Sequence, residues 1–195
     1  MPQPTAIYAS IPSTDPSAPN WLSTPPNLLP VSVADPFPDW PNLDWRIGGI
    51  TPLLFSEITD YLWQPAIADP TDGTEKQFTR RLTVGSLGFT STHIQHALYS
   101  MILTIAADDQ YQVLMLVNGS PVVFDAPNPG FNFAVPNPLT WRNVKTFAHN
   151  PVNLFTNDTV DIQVNARNVP QPPGTPPANN PAMFTWILQL FQLGG

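Results

Sequence analysis

Proline is the residue that most constrains what this chain can fold into. The sequence of 195 residues contains 26 prolines, about 13% where soluble proteins average about 5%. A proline inside a helix removes a backbone hydrogen bond and clashes with the preceding turn, which costs about 3 kcal/mol. We therefore exclude an all-α fold and expect an all-β protein whose prolines lie in loops, turns and extended segments.

The prolines are concentrated near the N-terminus. Eleven of the 26 fall within residues 1–45, which predicts an extended arm of polyproline II stretches and turns. A solvated tail is the simplest alternative, but the segment is too apolar for one. The arm is predicted to cover a surface of its own body or of a neighbouring subunit, and both remain open. The predicted assembly-interface residues are Ile7, Tyr8, Ile11, Trp21, Leu22, Trp40 and Trp45.

From about residue 50 the hydrophobic pattern takes the period of a β-strand. Residues 77–84 and 159–165 alternate between apolar and polar, while residues 97–106, 111–117 and 183–193 are denser apolar runs. Asn118 and Gly119 stand between two such runs and predict a type I′ hairpin. Pro-rich loops are predicted at residues 125–138 and 168–180. The pattern predicts an antiparallel β-sandwich domain over residues 46–195.

The order of these strands resembles that of a known family. KQFTRRLTV, ILTIAADDQYQVLMLVNGSPV, LTWRNVKTF, NDTVDIQVNARN and NNPAMFTWILQLF follow one another as in the galactose-binding-domain-like jelly rolls. The resemblance covers roughly residues 63–193, and Met183 and Thr156 stand where the family tends to have glycine. It implies a jelly-roll β-sandwich, a fold used in carbohydrate-binding modules, glycosidase accessory domains and surface or virion structures. The fold does not select among these uses.

The balance of charges limits the partners and the location. Seven basic and 14 acidic residues give a net charge of −7, so we expect no nucleic-acid partner and no membrane insertion. The N-terminus has no recognisable signal peptide. We expect a protein of the extracellular space or of a particle surface that is released by lysis or another non-Sec route. Assembly in the cytoplasm is the alternative.

Few side chains suit catalysis, so no catalytic residue is assigned and we do not expect an enzyme. The chain has no Cys, no G-x-S-x-G motif and three His. His93 and His96 are three residues apart without a third ligand at a suitable spacing, so no metal site is assigned. A glycosidase accessory domain is the remaining enzymatic alternative.

Two carboxylates and two aromatic residues are the candidates for ligand binding. Asp108 and Asp109 lie at a predicted strand connection, where turn geometry favours aspartate and calcium is the alternative ligand. The acidic stretch at residues 69–75 is interpreted as a solvated turn. Trp63 and Trp141 are the candidates for stacking on a sugar. We therefore expect no cofactor, with calcium as the alternative.

The arm and the sandwich together predict a structural, self-assembling subunit of a fibre, spore surface, coat or virion. An extended arm that docks on a neighbouring jelly roll can complete its sheet and protect an edge strand. A head-to-tail contact of this kind builds open filaments, so the expected partner is a second copy of the chain. The alternative is a carbohydrate-binding module or lectin-like adhesin, whose partner is a glycan.

Overall fold

The structure, a computed structural model, describes ten segments of the chain. They are residues 6–9, 22–24, 31–32, 62–63, 68–83, 96–108, 110–122, 144–155, 157–179 and 182–194. These segments contain eleven β-strands and no α-helix, apart from a 3-10 turn at Pro177–Asn179. The strands are β1 (Ala6–Ala9), β2 (Leu22–Thr24), β3 (Val31–Ser32), β4 (Leu62–Trp63), β5 (Lys76–Thr83), β6 (His96–Asp108), β7 (Gln110–Val117), β8 (Ser120–Pro121), β9 (Lys145–Phe155), β10 (Thr159–Arg167) and β11 (Met183–Gly194).

The strands form two antiparallel sheets. The first sheet has the order β3-β4-β11-β6-β9, with β1 also paired to β11, and the second has the order β2-β5-β10-β7-β8. From β4 onward the chain changes sheet at every connection except the β7–β8 hairpin. This alternation places β4-β11-β6-β9 opposite β5-β10-β7-β8, which is the arrangement of a jelly roll. The all-β, antiparallel jelly-roll sandwich predicted from the sequence is confirmed.

The hydrophobic core lies between the two sheets. Phe78 of β5 contacts Phe184 of β11 across the sandwich, with ring centroids 4.5 Å apart, a tilted arrangement that aromatic pairs favour. The burial of apolar side chains in this core is the main free-energy term that offsets the entropy lost on folding. Both sheets contribute to the core: Trp63, Phe78, Tyr99, Met101, Leu103, Val113, Phe147, Val160, Ile162, Val164, Phe184, Trp186 and Leu188.

One strand connection differs from the sequence-based expectation. The sequence predicted a polar turn around Asp108, but β6 continues through Asp108 and β7 begins at Gln110. Because β6 and β7 belong to different sheets, this connection takes the chain from one sheet to the other within a single residue. Asp108 is paired in register with Met183 of β11.

The β7–β8 hairpin forms as its sequence predicts, and hydrogen bonds join it to the turn between β9 and β10. Asn118 and Gly119 have φ angles of 51° and 77°, the positive values that a type I′ turn requires. The Nδ2 of Asn118 donates to Oδ1 of Asp158 at 2.8 Å, and its Oδ1 accepts from the backbone N–H of Thr159 at 3.0 Å. The Oδ2 of Asp158 accepts from the backbone N–H of Phe155 at 2.8 Å. These bonds join the hairpin to the turn between β9 and β10.

We expect Asn118→Ala to lower the free energy of unfolding by about 2 kcal/mol, since it removes two side-chain hydrogen bonds and forces alanine to a positive φ. Asn118→Gly removes the same bonds without the strain and is expected to cost about 1 kcal/mol. Urea denaturation of both variants measures the difference. Equal losses would contradict the backbone component of this prediction.

Candidate functional site

The first strand of the N-terminal segment adds to the first sheet. β1 pairs antiparallel with β11, with Ala6 opposite Leu190 and Ala9 opposite Ile187. β11 uses its other edge to pair with β6 along nearly its whole length. Without β1, the backbone groups of β11 at these positions would form an open sheet edge, the kind of edge that recruits strands from other chains.

The next two strands of this segment close further positions on the sheets. β2 pairs with β5 in the second sheet, with Leu22 opposite Thr79, and β3 pairs with β4 in the first sheet, with Val31 opposite Trp63. β5 has β10 on its other edge, so β2 occupies what would otherwise be the outer edge of the second sheet. The segment therefore pairs with both sheets of its own chain.

Three of the seven predicted assembly residues lie in the described strands. Ile7 and Tyr8 lie in β1, in register with Gln189 and Leu188, and Leu22 lies in β2. The other four predicted interface residues lie outside the described residues: Ile11, Trp21, Trp40 and Trp45.

The structure places the ring of Trp63 in the core. Trp63 is 1% exposed, and its ring centroid lies 5.6 Å from that of Phe78. Sugar stacking requires an accessible ring face, so in this conformation Trp63 is a packing residue. Trp141, the other predicted stacking residue, lies outside the described residues.

The predicted calcium carboxylates are not seen as a pair. Asp108 is 6% exposed at the end of β6, where it is a strand residue rather than a turn residue, and Asp109 lies outside the described residues. Within the described segments, no group of three or more His, Asp or Glu side chains is placed to hold a metal ion.

The acidic stretch at residues 69–75 is a turn whose carboxylates are already engaged. Oδ1 of Asp69 accepts from the backbone N–H and the hydroxyl of Thr71, both at 2.8 Å, and these two bonds lower the pKa of Asp69. Partial burial raises the pKa of Asp72, but hydrogen bonds from Thr74 and Lys76 outweigh it and hold that pKa below its usual value. Local hydrogen bonds thus account for both aspartates.

The outer face of the second sheet presents a row of amides that sequence analysis missed. Gln77, Asn165 and Gln112 lie side by side on β5, β10 and β7, and all three side chains are half-buried. Oδ1 of Asn165 is buried and accepts no hydrogen bond within the part of the chain that is described. We call these three residues the amide row. Only the strand register brings them together, because they are far apart in sequence.

An ion pair lies on the same face as the amide row. Arg81 donates from Nε and Nη2 to the two carboxylate oxygens of Asp161, each at 2.7 Å, in the bidentate geometry that favours arginine. This pairing raises the pKa of Arg81. One face of the second sheet therefore carries both this ion pair and the neutral hydrogen-bonding groups of the amide row.

Comparisons with known proteins add no family to this description. No protein-family model matches the sequence, and no curated protein matches it either. Among the described residues, no helix is long and apolar enough to cross a membrane.

The Asp69 turn predicts a pH-dependent stability. Because folding lowers the pKa of Asp69, its carboxylate stabilises the folded state at pH values above the ordinary pKa of 3.8. This stabilisation is lost as the pH falls through the pKa that Asp69 has in the folded state. We expect Asp69→Ala to lower the Tm at pH 7, and we expect the Tm of the variant to approach that of the wild type below pH 3.8. Thr71→Ala removes one of the two donors and should give a smaller loss. A Tm difference independent of pH, measured by thermal denaturation, would contradict this.

Proposed function

We propose that this protein is a non-enzymatic structural subunit that assembles with copies of itself through its N-terminal arm. The observation that carries the proposal is the pairing of three arm strands with the body, at β11, β5 and β4. The arm is a strand donor and the body is a strand acceptor. If an arm pairs with another copy instead of its own body, the same backbone hydrogen bonds join two subunits.

The composition of the chain supports a particle built in this way. There are no cysteines, so disulfides cannot hold subunits together, and strand pairing is the contact that we propose instead. Donor and acceptor are different surfaces, so repeated exchange is head-to-tail and extends into a fibre or coat. We place such a particle at a cell, spore or virion surface. We also propose that the chain is related to the galactose-binding-domain-like jelly rolls, which the strand order supports.

Assembly of the full-length chain is expected to increase with concentration and to depend on the arm. Light scattering and negative-stain electron microscopy should show particles larger than the monomer. An excess of a peptide of residues 1–45, added during assembly, should occupy acceptor sites and shorten the particles. A peptide of the same composition in scrambled order is the control.

Two results would overturn this proposal. One is a full-length chain that stays monomeric at high concentration. The other is assembly that the arm peptide and its scrambled control affect equally. The competition experiment leaves the subunit intact, so it avoids the exposed edges that deletion of residues 1–45 would create at β11 and β5.

The amide row favours carbohydrate binding as the second candidate function. Each amide of Gln77, Asn165 and Gln112 offers both donors and an acceptor, which suits the hydroxyl groups of a glycan. The three side chains lie on neighbouring strands, about 5 Å apart from strand to strand, a spacing comparable to a sugar ring. Asp108 and Trp63, two of the residues predicted from sequence, are buried in the first sheet and do not contribute to this surface.

A glycan array probed with the labelled full-length chain tests the second candidate. If the amide row binds the glycan, Gln112→Ala should weaken binding to the same array spots about five- to tenfold, the effect of one lost hydrogen bond. Gln171→Ala, at an exposed loop position, is the matched control and should bind as wild type does. No array binding, or equal binding by both variants, would exclude the amide row as the site.

A further inference from the structure

We infer that β1 is the strand that passes between subunits, and that its acceptor is residues 187–190 of β11 in a second copy of the chain. This inference rests on the proposed function and names the contact that would carry it. The backbone pairing itself is seen within one chain, with Ala6, Ile7, Tyr8 and Ala9 opposite Leu190, Gln189, Leu188 and Ile187.

Few described pairings hold β1 to its own body. Among the described residues, exchange of β1 breaks its four pairs with β11, while β2 and β3 pair with other strands. Exchange leaves those pairings in place. Every hydrogen bond that β1 gives up on its own β11 is regained on the neighbouring one, so the exchange is nearly neutral in contacts.

The acceptor is well prepared for an incoming strand. β11 is held in a fixed extended conformation by β6, which pairs with it at the same residues that receive β1. Leu188 and Leu190 are fully buried core residues, so the acceptor strand belongs to the rigid body of the sandwich. A preorganised strand lowers the entropy cost of binding a short partner.

The connection from β1 to β2 is long enough for exchange. It comprises residues 10–21, with prolines at positions 12, 16 and 19. A chain of twelve residues spans at most about 40 Å when extended, at about 3.3 Å per residue. This length is close to the diameter of a domain of about 150 residues, so β1 can reach the adjacent subunit while β2 stays on its own body.

Exchange of β1 also determines the type of assembly. Each subunit carries one donor, β1, and one acceptor, the edge of β11 that β1 covers, and these are different surfaces. A donor that binds the acceptor of the next subunit leaves one donor and one acceptor open at the ends. The contact is therefore head-to-tail and propagates until the ends meet or the supply of subunits is exhausted.

Engineered cysteines distinguish exchange from pairing within one chain. The protein has no native cysteine, so Ile7→Cys and Gln189→Cys introduce a single reactive pair at directly opposed positions of β1 and β11. The Cα atoms of opposed residues in antiparallel strands are about 4.5–5.5 Å apart, within disulfide range. The two single variants are unfolded, mixed, and then refolded and assembled together. The products are oxidised and separated on a non-reducing gel.

Exchange predicts that the mixture of single variants shifts from the monomer band to a dimer that contains one chain of each kind. The double variant, Ile7→Cys with Gln189→Cys, should give a ladder of covalent oligomers. The control mixture pairs Ile7→Cys with Gln112→Cys, whose cysteine lies on the other sheet, and its dimer should stay at the background of either single variant alone.

Three results would overturn the inference. The double variant could form only an intramolecular disulfide at the monomer position, the mixed single variants could fail to form a dimer, or the control could cross-link equally well. If wild-type particles are still seen by electron microscopy and are still shortened by the arm peptide, the proposed function stands and only the assignment to β1 fails. A monomeric wild-type chain removes both.

Discussion

The pairing of β6 with β11 is the interaction on which the rest of the molecule depends. The two strands are in register at eleven positions, and every other strand of the first sheet is attached to one of them or to β4. Their inward side chains, such as Met101 and Trp186, form the first sheet's half of the core. Ile187 and Ala106 alternate with these core residues and so lie on the outer face, yet both are 0% exposed. Both faces of this pair are therefore buried around Ala106 and Ile187.

Burial on two faces explains a contrast between the sheets. Strands covered on both sides tolerate few polar residues, which is why apolar residues dominate the sequences of β6 and β11 on both faces. β10 alternates instead, with Val160, Ile162 and Val164 inward and polar residues such as Asp161 and Asn165 on the other face. The first sheet is thus the more buried of the two and accepts β1 and β3, whereas the second sheet accepts β2 and provides the polar surface.

Local patterns were sufficient to predict the elements of the body but not their partners. The strand periods and the Asn118-Gly119 dipeptide depend on residues close in sequence, and the structure bears them out. Pairings between segments tens of residues apart cannot be predicted from local sequence patterns. They determine the burial of Trp63, the strand conformation of Asp108 and the amide row. The same holds for the arm, whose apolar composition predicted a covered surface without indicating which strand would receive it.

A guanidinium lies inside the sandwich between the sheets. Arg80 of β5 is 7% exposed, and its Cζ lies 5.8 Å from the ring centroid of Trp186 of β11, a distance at which a cation is attracted to an aromatic face. An apolar side chain could pack in several neighbouring positions, but a buried cation is costly wherever it loses its electron-rich neighbour. Sliding one sheet over the other by a single residue pair would separate the two groups. The contact between Arg80 and Trp186 therefore favours the alignment of the two sheets in which these residues face each other.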